Sequence, residues 1–597
     1  METLLSGPRL YLIAAALPWA GALLTLFLGR LYPLSTARSW GGQTFVVSGG
    51  LVLLGIVANG GFPFEVVTVG TPPMGPVHLF LDPFAVTWLL LVSWCAATLM
   101  LTGPGRGESV ANDQWQTASR LALVALSSFV VLMTDAWLQW GLASFVGWLL
   151  CANESRHIHF RRGSVVRSFV WLAMADLLWL IGLATLFWVL PDSPLPGLNN
   201  WPGQLELSEA ELGTGVAGAS LLCLSISIRT GLFPGIVWTN PLLSTQREGA
   251  WLILIGFGTG TGLLARWAGV LTPFSEVRSI LLGLGGMSAL LLSGSAWAHR
   301  EPISRILRVV ATQLGIVWMA TAADPQFAPE LAISSLCLIA IAVILLSEMG
   351  GQAFQQRPLG FVVIALFTGG LLGQERAFHA IQSLPDGSGQ NRFALLGVSL
   401  VSHGVVSFLL WEMWWQPATD SENRDRGLGC LLPWGGLTMV AACLVMLSFL
   451  DQRATSGIEG PIVIDSPVPV LSPLITLIAL TASWLWPNPT LHSSSEPSMD
   501  SSSGSLERLA QHDYYIELAC SRFLGGTCSG ISKILLALEA VLAQWLSTAA
   551  WETRLRFVAS EADEMDEESI PQTWVILTWV TVIVLASGLI VGRILFV

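Results

Sequence analysis

Apolar segments long enough to cross a bilayer recur along the chain, separated by short polar stretches. A membrane-spanning helix needs about 20 predominantly apolar residues. By that rule the pattern predicts roughly sixteen spans, near 10–29, 42–59, 82–102, 117–134, 136–152, 165–190, 215–243, 249–271, 278–298, 305–322, 328–349, 358–384, 391–415, 428–450, 469–487 and 572–596. A chain that is 53% hydrophobic and 11% charged fits an all-α polytopic membrane protein.

The stretch 221–271 contains two apolar runs with a polar break between them. Arg229 lies inside the first run, and Pro234 follows five residues later. A proline break frees backbone carbonyls that must be satisfied by neighbours, water or a lined cavity. A cation at membrane depth is costly and normally faces the interior of a bundle. The pattern therefore predicts a discontinuous helix of the kind that transporters use for ions; the alternative is that Arg229 snorkels to an interface.

Two segments are predicted to lie outside the spans. The β-branched runs around Pro72-Pro73-Met74-Gly75 predict a hairpin outside the bilayer. Near the end, a Ser-rich link at 487–505 precedes the stretch 506–548, which reads as an amphipathic helix along the membrane surface. An acidic joint then leads to the final span.

Arginines alternate between connections on one side and the other. Alternate connections between the predicted spans form two sets, and the opposite set to the basic one is acidic or neutral. The basic set contains Arg30, Arg38, Arg106, Arg156, Arg161, Arg162, Arg247, Arg300, Arg305, Arg357, Arg424 and Arg426. Arg266, Arg278, Arg392 and Arg453 are exceptions. Because basic loops stay in the cytoplasm, this predicts periplasmic termini in a bacterial cytoplasmic (inner) membrane.

Several classes of function are excluded at this stage. The net charge of −12 and the absence of a basic tail argue against nucleic acid. The eight cysteines are scattered, so we predict no metal site, cofactor or redox centre, and no catalytic triad is evident. The glycine-rich run 256–262 lies in an apolar helix, which favours close helix packing over phosphate binding. His299 and His403 are predicted to be interfacial.

The polar break resembles a motif of the antiporter-like subunits of respiratory complex I. In that family the broken seventh helix carries Gly-Lys-Ser-Ala-Gln-x-Pro-x-x-x-Trp. Here the run from Ile228 to Pro234, followed by Trp238, keeps the Pro and Trp spacing and has Arg229 at the lysine position. The Leu263-Leu264-Ala265-Arg266 ending also matches the family.

Other matches follow in the family's order. Glu301, Gln313 and Gly315 keep an acid, a Gln and a Gly of a later motif, whose lysine position is Ile303. The run 370–376 resembles Gly-Phe-x-Ser-Lys-Asp-Glu, with Gln374 at the lysine position and Glu375 beside it. The fifth-helix acid falls on Ala143, while Asp176 matches an acid of the sixth helix. The run 513–517 resembles the entry to the family's lateral helix.

The resemblance is to the L subunit (chain 5) in a divergent form, in the superfamily that includes the inorganic-carbon transporter membrane subunit and Mrp-type antiporters. It implies two inverted five-helix repeats with broken helices and an amphipathic lateral helix. The implied regions are N-terminal helices with a periplasmic hairpin (1–112), a first five-helix unit (113–273), a second (274–418), and C-terminal spans with the lateral helix and final anchor (419–597).

The implied function is a proton-translocating membrane-arm subunit of an NADH-quinone oxidoreductase-like assembly, working with other membrane-arm subunits. The chain would at most be a subunit of that translocase, with no redox centre of its own. The resemblance implies a proton path through Arg229, Asp176, Glu301, Gln374 and Glu375. The path is partly degenerate, because Arg, Ile and Gln replace lysines and arginine stays charged.

Three alternatives stay open. The first is a transport-inactive scaffold subunit. The second is the membrane subunit of a two-component CO₂/bicarbonate accumulator with a soluble zinc-binding partner. The third is a subunit of a sodium/proton antiporter. The divergent fifth helix and the basic loop at 155–169 resemble the inorganic-carbon family, which generally lacks the long lateral tail.

Overall fold

The computed structural model describes residues 7–28, 34–59, 65–69, 77–101, 113–155, 162–189, 209–239, 242, 246–299, 301–349, 364–365, 374–382, 384, 392–415 and 478–482. All of these belong to one structural unit, Met1–Gln511. The predicted lateral helix at 506–548 and the predicted spans 428–450 and 572–596 lie outside the described residues.

The described part of the chain is almost entirely helical. Its elements are α1 (Gly7–Leu28), α2 (Leu34–Ala58), β1 (Glu65–Val69), β2 (Val77–Leu81), α3 (Pro83–Leu101), α4 (Asp113–Leu132), α5 (Ala136–Ser155), α6 (Arg162–Val189), α7 (Glu209–Arg229), α8 (Gln246–Trp251), α9 (Gly258–Leu271), α10 (Ser275–Ala298), α11 (Pro302–Ala323), α12 (Ala328–Met349), α13 (Gln374–Gln382) and α14 (Arg392–Trp415). Short 3₁₀ turns occupy Gly235–Trp238 and Pro325–Phe327, and a π-helical segment, Leu252–Phe257, joins α8 to α9.

Eleven helices in these ranges are long and apolar enough to cross a membrane. The fold class predicted from the apolar pattern, an all-α polytopic membrane protein, is confirmed. The short joint that separates the fourth and fifth predicted spans is also present, because Asp135 accepts hydrogen bonds from the backbone N–H groups of Trp137 and Leu138 at 3.0 Å and so caps α5.

The predicted hairpin is present as well. β1 and β2 pair antiparallel, with Glu65 opposite Leu81 and Val69 opposite Val77. The hairpin is held against the joint between α4 and α5, where the backbone N–H and the hydroxyl of Thr134 both donate to the carbonyl of His78. The hairpin therefore lies over the ends of α3, α4 and α5.

Close approach of helices depends on small residues. A Cβ added at Gly182 of α6 would lie 2.9 Å from the Gly218 carbonyl of α7, and one at Gly285 of α10 would lie 2.6 Å from the Gly315 carbonyl of α11. These contacts bring backbones together as in other membrane bundles. Every residue of α11 from Ile303 to Ala323 is buried, so α11 lies in the centre of the described bundle. It nonetheless carries two arginines.

The predicted packing role of the glycine-rich run 256–262 is also seen. Gly256 lies against Trp238, Gly258 against Trp88, and Gly262 against Val131. A Cβ at Gly260 would come within 2.6 Å of the Thr230 backbone. The run therefore lets the helix containing α9 lie directly against the end of α7.

Candidate ion-translocation site

The helix α7 ends at Arg229 in a defined C-terminal motif. Gly231 has a φ of 73°, and the N–H groups of Gly231 and Leu232 donate to the carbonyls of Ile228 and Ser227 at 3.1 Å. This is the Schellman arrangement, which favours glycine at the left-handed position. A side chain at Gly231 would also collide with the Phe257 ring, 2.2 Å from the position of a Cβ.

The break continues through Pro234 into the turn Gly235–Trp238. The indole of Trp238 also donates to the Ile228 carbonyl at 2.6 Å, so this carbonyl at the break accepts two hydrogen bonds. On the other side, the Phe233 N–H donates to the Ser288 hydroxyl of α10 at 3.0 Å. The discontinuity thus lies between Arg229 and Gly235, where the polar break in the sequence is found.

Arg229 forms an ion pair with Asp176 of α6. Arg229 is 5% exposed, and its Nη1 donates to the Ala143 carbonyl of α5 at 2.8 Å. The Trp179 ring lies 5.9 Å from the guanidinium carbon. The guanidinium therefore points into the bundle formed by α5, α6 and α7, and the alternative of snorkelling to an interface does not fit this burial.

The fifth helix contributes a main-chain oxygen where the resemblance implies an acid. The Ala143 carbonyl accepts from Arg229 although the Ala143 side chain has no charge to offer. Gly147, one turn further along α5, lies beside the guanidinium, where a Cβ would make an ordinary van der Waals contact with Nη1 at 3.8 Å. Asp176 is thus the acid that the structure places beside Arg229.

A second ion pair joins the hairpin to α9. Arg266 donates to both carboxylate oxygens of Asp82 at 2.8 and 3.0 Å, and its Nε donates to the Val131 carbonyl at 2.7 Å. Asp82 also caps α3 by accepting from the Ala85 N–H at 2.8 Å. Asp82 was missed from the sequence, although an acid directly before Pro83 is typical of a helix start.

Two of the arginines that depart from the predicted alternation have hydrogen-bond partners in the structure. Arg266 is held by Asp82, and Arg278 donates to the carbonyls of Ala322 and Ala323 at the end of α11 at 3.0 and 3.1 Å. A carboxylate therefore binds Arg266, and carbonyls at the C-terminus of α11 bind Arg278. A cation at a helix C-terminus is stabilising.

A third polar group lies between α10, α11 and α14. Arg305 pairs with Glu412 at 3.2 Å, and Arg308 donates from Nε to the Ser295 hydroxyl at 2.9 Å. Further along, the Gln313 amide lies 3.2 Å from Nδ1 of His403. The interfacial position predicted for His403 is wrong: His403 is fully buried in the middle of α14, because Gln313 supplies a polar partner inside the bundle.

The other residues of the predicted proton path do not lie beside Arg229 and Asp176 in the described structure. Glu301 is exposed at the start of α11, where its carboxylate accepts a hydrogen bond from the Ser304 hydroxyl at 2.8 Å. Gln374 and Glu375 begin α13, and their side chains lie outside the described residues. His299 follows α10 directly as its C-terminal cap. Of the predicted path residues, the structure brings Arg229 and Asp176 together.

Together these observations define a polytopic helical membrane protein with a broken helix and buried ion pairs. No family model matches the chain, and no curated protein matches it. Among solved structures, it is similar to a chain of respiratory complex I from Thermus thermophilus with bound NADH. The TM-score is 0.57 at 15% identity, over 79% of this chain and 99% of that one.

Two further solved structures are similar to this chain in fold at low sequence identity. A chain of the Mrp complex from Dietzia sp. DQ12-45-1b gives a TM-score of 0.64 at 16% identity over 90% of this chain, which spans 63% of that chain's length. A chain of the membrane-bound sulfane sulfur reductase, an archaeal respiratory membrane complex, gives 0.57 at 14% identity, over 79% of this chain and 99% of that one. The predicted resemblance is therefore confirmed for the fold.

Proposed function

We propose that the chain is an antiporter-like membrane-arm subunit of a complex I-like assembly and takes part in proton translocation by that assembly. The observation that carries the proposal is the ion pair at the break of α7 between the buried Arg229 and Asp176, whose side chain is 22% exposed. Ionisable groups within membrane helices normally mark ion pathways. The fold shared with chains of three multi-subunit membrane complexes supports the same function.

The chemistry divides between the two residues. Arginine stays charged and does not exchange protons, so Arg229 supplies a fixed cation. Asp176 is the group that can take up a proton, and a proton that reaches it competes with the guanidinium for the same carboxylate. Proton arrival at Asp176 would therefore release Arg229, and departure would restore the pair. Carbonyls near the break give water a polar surface to follow.

We expect the chain to purify with other membrane-arm subunits. The test is affinity purification from native membranes in mild detergent, followed by identification of the attached proteins by mass spectrometry. A chain lacking 505–597 is the matched control, because we expect the predicted lateral helix to contact neighbouring subunits. This truncation should release the partners while the earlier spans still insert.

Two results of that purification would contradict the proposal. A soluble zinc-binding protein as the sole partner would favour the inorganic-carbon accumulator, and a set of antiporter subunits would favour the sodium/proton antiporter. If the chain purifies with complex I-type partners but the purified complex shows no proton flux in vesicles, the transport-inactive scaffold function would be favoured.

The proposed topology has about sixteen spans, two inverted five-helix repeats within 113–273 and 274–418, and periplasmic termini in a bacterial cytoplasmic membrane. We expect single cysteines introduced at 156–161 to react with an impermeant maleimide only after the membrane is opened. A cysteine at Met74, in the predicted hairpin turn, is the control that should react from the periplasm. Labelling of 156–161 from the periplasm would contradict this orientation.

A further inference from the structure

A cluster of three buried side chains lies beside the ion pair at the break of α7. Trp179 of α6, Trp267 of α9 and Gln139 of α5 are each at most 3% exposed. The guanidinium of Arg229 lies over the Trp179 ring, with its carbon 5.9 Å from the ring centroid. We call Trp179, Trp267 and Gln139 the tryptophan cluster.

The two indole rings of the tryptophan cluster meet at nearly a right angle. Their centroids are 5.8 Å apart and their planes are inclined by 87°, an arrangement that aromatic pairs favour. The Trp179 indole N–H has no hydrogen-bond partner in the described structure. The orientation of the Trp179 ring is therefore set by packing, which includes the contact with Trp267, and not by a hydrogen bond of its own.

The Trp267 ring is held in turn by Gln139. Its indole N–H donates to Gln139 Oε1 at 2.7 Å, and Gln139 Nε2 donates to the Val130 carbonyl in the last turn of α4 at 2.9 Å. An indole N–H can only donate and a carbonyl can only accept, so one orientation of the amide satisfies both partners. The ring that packs against Trp179 is therefore anchored to the end of α4.

The Arg229 guanidinium has three contacts of different kinds. Asp176 and Trp179 are three residues apart on α6, a spacing that places both on one face of the helix. Arg229 contacts the carboxylate of Asp176 and the ring of Trp179, and its Nη1 donates to the Ala143 carbonyl of α5. The contact with the carboxylate weakens when a proton binds, whereas the contacts with the ring and the carbonyl do not depend on the charge of Asp176.

No second acid is described near Arg229 on the three helices that surround it. The described charged side chains of α5, α6 and α7 are Asp176, Glu211 and Arg229. Glu211 is exposed near the start of α7, 18 residues before Arg229, which is about 27 Å along the helix. On α9, Arg266 is paired with Asp82. A guanidinium released by Asp176 therefore keeps its charge inside the bundle without a replacement carboxylate from these helices.

The released guanidinium needs other contacts that favour a cation. A charge without a counter-ion inside a protein suffers a desolvation penalty. The face of a tryptophan ring attracts a cation within about 6 Å, and the attraction is strongest where water is excluded. Arg229 and Trp179 meet both conditions, because Arg229 is 5% exposed, Trp179 is fully buried and the guanidinium lies over the ring.

We propose that Trp179 is a positioning residue for Arg229, which holds the guanidinium inside the bundle while Asp176 carries a proton. Trp267 and Gln139 keep the Trp179 ring in place for this contact. The guanidinium then stays near Asp176 and forms the ion pair again once the proton leaves. The O–H bond of Asp176 is the bond that is made and broken. The inference rests on the proposed proton translocation and adds a residue that makes release of Arg229 reversible.

The first test compares the effect of Trp179→Leu on stability with and without the charge of Asp176. Asp176→Asn imitates the protonated acid, because it has nearly the same shape and no charge. We expect Trp179→Leu to lower the unfolding midpoint more in the Asp176→Asn background than in the wild-type background, whereas a side chain that only fills space would cause equal losses. The midpoint is measured on the complete complex in detergent, by size-exclusion chromatography after heating, with a fluorescent label on this chain.

Two further variants make the comparison specific. Trp179→Phe keeps an aromatic face and should show a smaller excess loss than Trp179→Leu. Trp318→Leu removes a fully buried tryptophan of α11 whose ring contacts no arginine among the described residues, so its effect should be the same in both backgrounds. If Trp179→Leu does not assemble, the excess loss of Trp179→Phe over Trp318→Phe decides the case.

The second test measures proton flux in vesicles that contain the assembled complex. We expect Trp179→Leu to lower the flux by about tenfold, the size of a desolvated cation–π contact, and Trp179→Phe to recover most of it. Gln139→Leu removes the acceptor of the Trp267 indole and should also lower the flux, by a smaller factor. Trp318→Leu should leave the flux per assembled complex unchanged.

The outcomes separate the two proposals. Wild-type vesicles that pump, together with equal stability losses for Trp179→Leu in both backgrounds, would overturn the assignment of Trp179 alone. Unchanged flux in Trp179→Leu at equal assembly would do the same. Wild-type vesicles without proton flux would overturn the proposed function, and the stability comparison in the Asp176→Asn background would still decide whether the Trp179 ring holds Arg229.

Discussion

Replacing Arg229 with alanine is expected to abolish proton flux through the reconstituted complex, whereas Arg229→Lys should retain or raise it. The alanine variant removes the cation that pairs with Asp176 and donates to the Ala143 carbonyl. Lysine preserves a charge and restores a group that can exchange protons. The measurement is the initial rate of dye response in vesicles of matched protein content.

Loss of transport has to be separated from loss of folding. Removing one partner of a fully buried ion pair costs about 3–5 kcal/mol because the other charge is left uncompensated. We expect a smaller loss here, because the Asp176 side chain is 22% exposed and water can solvate part of its charge. The double variant Asp176→Ala/Arg229→Ala should recover part of that stability but none of the flux. Arg278→Ala, which removes an arginine bonded to carbonyls elsewhere, is the matched control. Equal flux in wild type and Arg229→Ala at equal assembly would eliminate a transport role for Arg229.

The largest effect on stability is expected from Asp82→Ala. This change leaves the Arg266 guanidinium, 4% exposed, without the carboxylate that binds it through two hydrogen bonds. We expect a loss of about 3–5 kcal/mol, the typical cost of breaking a buried pair. Unfolding in detergent, followed by tryptophan fluorescence, would measure it.

The matched controls are one double and one single variant. Asp82→Ala/Arg266→Met should be more stable than Asp82→Ala, since methionine leaves no unpaired charge in the apolar setting of Phe80 and Phe84. Glu276→Ala removes an exposed acid near the start of α10 and should leave the unfolding midpoint unchanged. Additive losses in the double variant would show that the pair contributes no coupling.

Features of short sequence range were predictable. Apolar length predicted the eleven described helices that are long enough to cross a membrane. The β-branched runs around Pro72-Pro73-Met74-Gly75 predicted the hairpin, and Arg229 followed by Pro234 predicted the break of α7. Each of these features depends on local conformational preference or on burial in lipid, and both can be recognised from residues that are close together in the sequence.

Contacts between distant helices were not predictable in this way. Asp82 and Arg266 are 184 residues apart, and Gln313 and His403 are 90 apart. A single sequence shows a polar residue in an apolar helix but not the partner that offsets its burial. His403 was therefore expected at an interface, where water would satisfy it, and Gln313 satisfies it instead. The pair of Arg229 and Asp176 was accessible because the resemblance marked both positions.

The break in α7 packs directly against the π-helical segment Leu252–Phe257 and the start of α9. Phe257, the last residue of that segment, covers Gly231, and Gly260, three residues later, lies against the Thr230 backbone. Closely packed interiors transmit displacement rather than absorb it. A rotation of the turn that presents Arg229 would press against Phe257 and Gly260. We therefore expect movement at the ion pair to displace the π-helical segment as well.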